Sequence, residues 1–544
     1  MEFAPLAEHI ADALLESSPE LAASAGDHRF DDRLPDLSPD GTTADVAMLR
    51  DAAGALSQVD ADLLDDEERV DHAILSSLVE RQLFELTEVR SHQWDPLRHN
   101  PGALLHALMA RPFAPVEQRL HALAGRLLQV PDALATARTV LRDAPRIHLE
   151  TAAGQFAGTA ALVREELPRL LVQEPGLAEQ MQLVAANAVL ALDDFAAWCA
   201  AETERGDGRD PRLGRRLWEA KLWHTLDTEL GAAEVLKRAQ DNIERVTAEL
   251  REVAVELVGG KADDETVRRA LDLIAAEHPD DASIVGLAHH AVEETTAFVR
   301  EHDLVSLIDD PLVIEEMPEF ARGVAVAYCD PPGALETAVV PTFYCIAPTP
   351  AGWPADRVAS FYREYNDHAI RNLTVHEAMP GHFLQLAHAR RYRGSTRVRA
   401  LGHSGPFVEG WAVYAEQAMV ERGYGGLPVR ATQLKMQLRT SINAVLDQLV
   451  HCEELSEADG MALMRDRGFQ EVGEAAGKWR RALLSSAQLS TYFVGWAEVA
   501  EIARLRPSGV TVRQWHDRML SYGSPAPRHL RTLLSANGSS WRSA

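Results

Sequence analysis

The chain has 544 residues, of which 46% are hydrophobic and 25% charged, a composition typical of folded globular proteins rather than disordered ones. At roughly 150 residues per domain, this length predicts two to four folding units or one large helical body with lobes. The formal net charge of −28 repels phosphate backbones and anionic bilayers, so we expect no nucleic acid partner and no membrane partner.

The cysteines and the hydropathy pattern bear on the compartment. Cys199, Cys329, Cys345 and Cys452 are widely spaced and form no CxxC pair, which favours a reducing compartment over a disulfide scaffold or a thiolate metal site. The chain does not begin with a basic segment followed by an apolar one, and it contains no run of about 18 apolar residues. We therefore expect a cytoplasmic protein without a transmembrane helix.

Helical periodicity dominates residues 1–303. Apolar residues at 70, 73, 74 and 78 have the spacing of one helix stripe. The clearest helix is predicted at 234–258, where an apolar seam of three heptads ends at two glycines: Leu236, Ala239, Ile243, Val246, Leu250, Val253 and Leu257. This seam favours an internal antiparallel helix pair, with a dimerising coiled coil as the alternative.

Breaks in the periodicity predict the remaining organisation. Residues 25–44 and 205–211 are polar, contain Pro and Gly, and are predicted to be loops. Two β-like runs, at 323–329 and 338–346, predict a small β-sheet near 320–346, and the helical pattern returns after about residue 356. The predicted fold is mostly α, with a helical N-terminal region at 1–303 and a second region at 304–544 that contains the sheet.

The most informative segment is HEAMPGH at 376–382. In HExxH zinc sites, two histidines four residues apart share one helix face, and the glutamate beside the first acts as a base. Here His382 follows His376 by six residues, which on a straight helix points it roughly 120° away. Because Pro lacks an amide hydrogen and Gly tolerates unusual dihedrals, Pro380-Gly381 can break the helix and bring His382 back. The alternative is two unrelated helix histidines.

A third metal ligand is predicted at Glu409. It begins the segment EGWAVYAE at 409–416, after Gly405-Pro406, a pair typical of a helix start. Zincins of the glutamate type take their third ligand from the next helix after a similar gap. Glu416 lies seven residues later on the same helix face, where it is either an orienting partner for a ligand histidine or an exposed carboxylate.

These segments resemble a known family. HEAMPGHFLQ at 376–385 and VEGWAVYAEQ at 408–417 are similar to the HExxPGHxLQ and EGWAxYAE motifs of the bacterial domain-of-unknown-function family 885, which is grouped with the glutamate-type zinc metallopeptidases. The resemblance covers most of 210–505, and more loosely the N-terminal half, and it implies a large helical metallopeptidase-like body with a deep cleft. Dipeptidyl peptidase III carries one extra residue between its histidines and still binds zinc, and two would extend that pattern.

Weaker elements of the family pattern lie outside the two motifs. RLGRRLWEAKL at 212–222, QLSTYFVG at 488–495, and an Arg439…Asp447…His451 pattern resemble family elements. The chain departs from the family at Ala378, where glycine is usual, and at Ser486-Ala487, where the family has Pro-Gly. Neither departure removes a candidate ligand.

Further side chains are candidates for the reaction or for substrate binding. Tyr492 or His403 could donate a hydrogen bond to developing oxyanion charge, although an aromatic core residue and a loop histidine are the alternatives. Arg480 and Arg481 could hold a peptide carboxylate or lie on the surface. Asp447 could pair with a ligand histidine, but a structural ion pair with Arg439 is favoured.

The resulting prediction is a zinc metallopeptidase acting on peptides. His376, His382 and Glu409 would hold one Zn²⁺, and Glu377 would deprotonate water and later protonate the leaving amine. Strands near 338–346 would pair with an extended peptide. The alternatives are a zinc hydrolase of non-peptide amides, and a non-catalytic helical binding protein with an inactive metal site. The sequence lacks a G-x-S-x-G motif, a Walker loop and a G-x-G-x-x-G motif, which argues against serine hydrolase and nucleotide chemistry.

Overall fold

The computed structural model describes residues 2–206, 208–317, 326–350 and 352–536. The protein is mostly helical, as predicted, with one three-stranded sheet. The first eight helices are α1 (Phe3–Ser17), α2 (Pro19–Ala25), α3 (Pro39–Leu56), α4 (Asp66–Phe84), α5 (Gly102–Ala110), α6 (Val116–Val140), α7 (Arg146–Leu171) and α8 (Ala178–Thr203). They include the helix predicted from the apolar residues at 70–78.

After residue 211 the chain continues with four helices, passes through the sheet, and returns to helices. Its elements are α9 (Arg215–Leu226), α10 (Ala232–Val258), α11 (Asp264–Ile274), α12 (Ile284–Glu301), β1 (Leu312–Glu316), β2 (Ala327–Asp330), β3 (Thr342–Ile346), α13 (Ala355–Glu364), α14 (Asp367–Glu377), α15 (His382–Ala389), α16 (Val398–Leu401), α17 (Gly405–Val420), α18 (Gly426–Cys452), α19 (Glu457–Ala462), α20 (Val472–Leu484), α21 (Ser490–Arg504), α22 (Val512–Leu520) and α23 (Pro527–Ala536).

The chain forms two compact units, and their boundary differs from the division suggested at residue 303. One unit comprises Met1–Pro211, Pro332–Val340 and Gly394–Gly402, and the other comprises Arg212–Pro331, Pro341–Arg393 and His403–Ala544. Helices α9, α10 and α11 belong to the second unit because their apolar faces share one core with α18, α20 and α21.

The predicted helix at 234–258 is α10, and its apolar seam is covered within the chain. Ile243, Val246 and Leu250 are buried in the core that also contains Leu438 and Ile442 of α18. The internal pairing is therefore the correct interpretation of the heptad pattern, and no apolar stripe is left along α10 for a dimerising coiled coil.

The first unit is a bundle in which α6, α7 and α8 share an apolar core. Phe156 of α7 and Phe195 of α8 pack with their ring centroids 4.6 Å apart. Among the described residues, one helical segment, Pro175–Thr203, is long and apolar enough by length and composition to cross a membrane. One side of this segment lies in the bundle core, which is common for the internal helices of globular proteins.

Two short segments from the second half of the chain complete the first unit. In Pro332–Val340, the Glu336 carboxylate lies 2.8 Å from His28 Nε2, and the His28 ring stacks on Phe113. In Gly394–Gly402, Arg399 Nε donates to Asp71 at 2.7 Å, and both side chains are buried. Each segment is therefore attached by a charged pair.

The sheet has the order β1-β3-β2, with β3 parallel to β1 and antiparallel to β2. The sheet begins at Leu312, earlier than the predicted 320. β1 was not predicted because its residues do not alternate between apolar and polar side chains. Of the predicted run 323–329, residues 323–325 lie outside the described residues. The run at 338–346 becomes a strand only from Thr342, since Pro341 has no amide hydrogen to donate to a sheet.

The predicted loop at 25–44 is shorter in the structure; of the one predicted at 205–211, residue 207 lies outside the described residues and the others are not in a helix or strand. Helix α3 already begins at Pro39, because the Ser38 hydroxyl accepts a hydrogen bond from the Gly41 amide at 3.1 Å and caps the helix. The polar composition of 39–44 therefore belongs to the exposed first turn of a helix.

Candidate metal site

The helix break predicted at Pro380-Gly381 is present. Helix α14 ends at Glu377 and α15 begins at His382, so the two histidines occupy the end of one helix and the start of the next. Trp411 of α17 donates to the Pro380 carbonyl at 2.9 Å and holds the loop. A methyl group on Gly381 would lie 1.9 Å from the His376 carbonyl oxygen, so the turn accommodates only glycine.

The break brings the two imidazoles and the Glu409 carboxylate together. Glu409 Oε2 lies 3.4 Å from His376 Nε2 and 3.5 Å from His382 Nε2. The two imidazole rings are nearly perpendicular, with centroids 4.7 Å apart. The three ligand atoms all lie within 4.8 Å of one another, and they form a group that could hold a metal ion.

The donor set fits a tetrahedral zinc ion. Ligand bonds of about 2.0–2.1 Å in a tetrahedron place the donor atoms about 3.3–3.4 Å apart, close to the two distances from Glu409. Glu409 Oε2 is buried and has no hydrogen-bond partner among the described residues. A buried carboxylate oxygen without a donor is costly, and coordination to a cation would satisfy it.

Glu416 orients His376, which is one of the two roles expected for it. His376 Nδ1 lies 2.7 Å from Glu416 Oε1, and Asn372 Nδ2 donates to the other carboxylate oxygen at 2.6 Å. This contact directs His376 Nε2 towards Glu409. Asn372 was not predicted from the sequence, although its position one helical turn before His376 is a signal that could have revealed it.

The electrostatics of the site favour a bound cation. Burial alone would lower the pKa of His376, but Glu409 and Glu416 beside it raise that pKa well above its ordinary value. Burial alone would raise the pKa of Glu409, but the two facing imidazoles hold it well below its usual range. With Glu377 included, three carboxylates surround two imidazoles, so positive charge is stabilised at this position.

Glu377 lies beside the candidate metal ligands, and its carboxylate faces the backbone of the sheet. Its side chain is buried, and burial raises the pKa of the carboxyl while the imidazoles of His376 and His382 oppose that shift. The backbone of Cys329 in β2 lies close enough to this carboxylate to oppose the rise in its pKa. No signal in the sequence connects Cys329 with Glu377, because the contact depends on how β2 is placed next to α14.

The site opens into a cavity of about 570 Å³ that lies within the second unit. The three candidate ligands, Glu377, Tyr492 and Arg481 all line it, whereas Arg480 is not among the lining residues. His403 is exposed at the surface and is also not among them. Of the two predicted hydrogen-bond donors, the structure therefore brings only Tyr492 into the cavity.

Two glycines explain how Tyr492 reaches the cavity that contains Glu409. A methyl group on Gly410 of α17 would lie 2.3 Å from the backbone of Gly495, and one on Gly495 of α21 would lie 2.0 Å from the Pro406 carbonyl oxygen. The backbones of α17 and α21 are thus in direct contact. The EGWAVYAE and QLSTYFVG segments both need glycine because these two helices cross here.

Asp447, Arg439 and His451 have structural roles, and the favoured pairing of Asp447 with Arg439 is wrong. The Asp447 carboxylate is buried and accepts hydrogen bonds from Trp218 Nε1 at 3.0 Å, the Ala487 amide and Ser490. Arg439 instead pairs with Glu474, and His451 bonds to backbone carbonyls. Charge and spacing alone do not reveal which buried donors Asp447 faces.

The strand that borders the cavity is not the one near 338–346 predicted to pair with a peptide. β3 is the central strand and is paired on both sides, so its backbone cannot accept another chain. β2 lines the cavity through Ala327, Tyr328 and Cys329, and it is paired only with β3 among the described residues. β2 is therefore the strand of this sheet that borders the cavity.

Solved structures of bacterial proteins are similar over almost the whole chain. One, described as "a putative lipoprotein of unknown function from Shewanella oneidensis", is 27% identical, has a TM-score of 0.81, and is aligned over 98% of this chain and 100% of its own. Another, "the putative lipoprotein from Colwellia psychrerythraea", is 15% identical with a TM-score of 0.78 over 98% of both chains and supports the fold alone. No curated protein matches the sequence.

The first of these neighbours overturns the expected cytoplasmic location. The Shewanella oneidensis protein, which is 27% identical over 98% of this chain, is described as "a putative lipoprotein". The expectation is wrong because unpaired cysteines show only that the fold needs no disulfide, and such a fold is compatible with more than one compartment. The family described as "Bacterial protein of unknown function (DUF885)" matches residues 19–534, and the chain therefore belongs to this family.

Proposed function

We propose that the protein is a zinc-dependent peptidase that hydrolyses short peptides. The observation that carries the proposal is the meeting of His376 Nε2, His382 Nε2 and Glu409 Oε2 beside the buried Glu377. These residues open into a cavity of about 570 Å³, a volume typical of sites for small ligands rather than folded proteins. A short peptide is therefore the substrate class that fits.

A zinc ion held by the two histidines and Glu409 would polarise the peptide carbonyl and lower the pKa of water. Glu377 accepts a proton from the water that attacks the carbonyl carbon. It then delivers that proton to the amide nitrogen as the carbon–nitrogen bond breaks. The products are one carboxylate and one amine, and Glu377 returns to its starting state.

Tyr492 supports the proposal as a hydrogen-bond donor to the carbonyl oxygen. Arg481 Nη2 donates to the Tyr492 hydroxyl oxygen at 3.0 Å. This leaves the phenolic hydrogen free to point into the cavity, where it would stabilise the charge that develops on the substrate oxygen. His403 has no role in the proposal because it lies outside the cavity lining.

β2 supplies a way to position the substrate. Extended peptides bind to a strand edge through alternating main-chain hydrogen bonds, and β2 is an edge strand that lines the cavity. The Cys329 backbone contact links this strand to Glu377. A peptide paired with β2 would thus lie beside the base, with its scissile bond near the proposed metal.

The test combines metal content with turnover. We expect about one equivalent of zinc in the purified protein, no zinc in His376→Ala, and zinc retained in Glu377→Gln with peptide hydrolysis reduced by orders of magnitude. Unchanged turnover in Glu377→Gln would contradict the assigned base. Faster cleavage of small amides than of peptides would favour a non-peptide amide hydrolase, and no metal after zinc repletion would favour a binding protein.

A further inference from the structure

The cavity contains a second group of charged side chains, apart from the metal ligands. Arg439 of α18 and Glu474, Lys478 and Arg481 of α20 all line it. Three basic side chains thus face one carboxylate. Glu364 also lines the cavity, but its carboxylate accepts hydrogen bonds from Lys435 at 2.9 Å and from a backbone amide at 3.0 Å. The positive charge of the group therefore exceeds its negative charge.

The Glu474 carboxylate already forms an ion pair with Arg439. Arg439 contacts Glu474 Oε1, and the Tyr365 hydroxyl donates to Oε2 at 2.8 Å. Lys478 Nζ lies 3.8 Å from the same Oε1, too far for a hydrogen bond. The Lys478 side chain is only 6% exposed, and its ammonium makes no hydrogen bond to any described residue. Lys478 is thus a buried amine that faces the cavity without a close acceptor.

Arg481 lacks a carboxylate partner in the described part of the chain. Its guanidinium donates to Gln488 Oε1 at 2.9 Å and to the Tyr492 hydroxyl, and no acidic side chain among the described residues lies within ion-pair distance. Lys478 and Arg481 are three residues apart in α20, so they lie on the same face of the helix. Lys478, whose ammonium lies 3.8 Å from Glu474 Oε1, and Arg481, which has no acidic side chain of a described residue within ion-pair distance, therefore share one wall of the cavity.

A ligand anion would compensate these cations. Burial, together with the nearby charges of Arg439 and Arg481, lowers the pKa of Lys478 well below its usual range. A carboxylate placed between Lys478 and Arg481 would accept charge-assisted hydrogen bonds from both and would stabilise the protonated amine. The contact between Arg481 and Tyr492 connects this wall to the side chain proposed to face the scissile carbonyl.

We propose that Lys478 and Arg481 bind the free C-terminal carboxylate of the substrate, so that the protein removes short C-terminal fragments from peptides. The inference rests on the proposed function, because it requires a peptide in this cavity. The terminal carboxylate is favoured over an acidic side chain because Lys478 is deeply buried. The C-terminal residue of a peptide can approach a buried cation with no further residues beyond it, whereas an acidic residue within the peptide has residues on both sides that would have to be accommodated.

The test uses the Glu377→Gln protein, so that binding is measured without turnover. N-acetyl-trialanine and its C-terminal amide are titrated calorimetrically into the zinc-loaded variant. The free acid should bind at least about 10-fold more tightly than the amide, since one charge-assisted contact to a buried cation has that magnitude. Adding Lys478→Met should remove most of the preference.

Arg480→Gln is the matched control, because it removes a positive charge from the same helix at a residue outside the cavity lining. It should leave the preference intact. Equal binding of acid and amide would overturn the inference, and so would N-acetyl-Ala-Glu-Ala-amide binding as tightly as the free acid, which would indicate recognition of an acidic side chain. A preference that Lys478→Met leaves unchanged would also overturn it.

The two proposals fail in different ways. With wild-type protein, cleavage of acid and amide peptides at equal rates would refute the carboxylate site and leave the peptidase proposal intact. Selective binding of the free acid by a protein that hydrolyses nothing would support the carboxylate site and refute the peptidase proposal. A Lys478→Met variant with normal zinc content and normal thermal unfolding shows that lost selectivity does not come from misfolding.

Discussion

Replacing Gly381 with alanine should break the candidate metal site by moving its backbone. The added methyl carbon would lie 1.9 Å from the His376 carbonyl oxygen and 2.3 Å from that of Val375. Non-bonded heavy atoms reach favourable contact near 3.5 Å, so the loop must move by roughly 1–2 Å. His382 follows Gly381 directly, and His376 carries the obstructing carbonyl, so the movement separates two of the three ligands.

The expected consequence is large for zinc binding and moderate for folding. Metal sites tolerate ligand displacements of only about 0.2 Å, so zinc affinity should fall by at least 100-fold. Forcing one extra methyl into a filled backbone turn typically reduces the free energy of unfolding by about 1–3 kcal/mol. Zinc affinity is measured by competition with a chelator, and stability by urea unfolding of the metal-free protein.

Gly154→Ala is the matched control for this substitution. Gly154 lies within α7, and no atom lies within 4 Å of the position that its added methyl would take. Alanine should stabilise this helix by about 1 kcal/mol and leave zinc affinity unchanged. A Gly381→Ala protein with wild-type zinc affinity and unfolding free energy would refute the steric argument.

Three further predictions concern other charged side chains. Glu416→Gln should weaken zinc binding about 10–100-fold, as found for partners that orient metal ligands, and chelator competition would measure it; unchanged affinity would argue against that role. Asp447→Asn should lower the free energy of unfolding by about 2–4 kcal/mol without changing zinc content, as urea titration and metal analysis would measure. An unchanged free energy of unfolding together with lost zinc would instead place Asp447 at the metal site. Burial alone would lower the pKa of His28, but Asp31 and Glu336 raise it. The stabilisation of the fold by protonated His28 is therefore complete below pH ~6.5 and is lost as the pH rises through the folded pKa. The Tm difference between wild type and His28→Gln should shrink from pH 5 to 9, and a constant difference would contradict this linkage.

The candidate metal ligands could be predicted because their signals are local. His376, Glu377 and His382 lie in one short segment, and Pro380-Gly381 has dihedral properties that hold in any protein. Predicting Glu409 as the third ligand required only the expectation that a further helix follows the HEAMPGH segment. Glu416 followed from helical periodicity, since seven residues make almost two turns.

The contacts of other side chains depend on distant parts of the chain. Asp447 faces Trp218, 229 residues earlier, and Glu377 faces the backbone of a strand. His403 lies next to the EGWAVYAE helix in sequence, yet it is exposed, because a loop position does not reveal the direction of its side chain. Such contacts are set by the packing of helices and strands.

The sequence by itself determined the helical class, the internal role of α10 and the break that precedes His382. These follow from periodicity and from the backbone chemistry of proline and glycine, which act over a few residues. Only the tertiary structure decided that β2 rather than β3 borders the cavity, that α9 to α12 join the second unit, and that Lys478 and Arg481 share a wall with Tyr492. Each of these depends on which surfaces meet when apolar faces are buried, and burial acts between segments that are far apart in the chain.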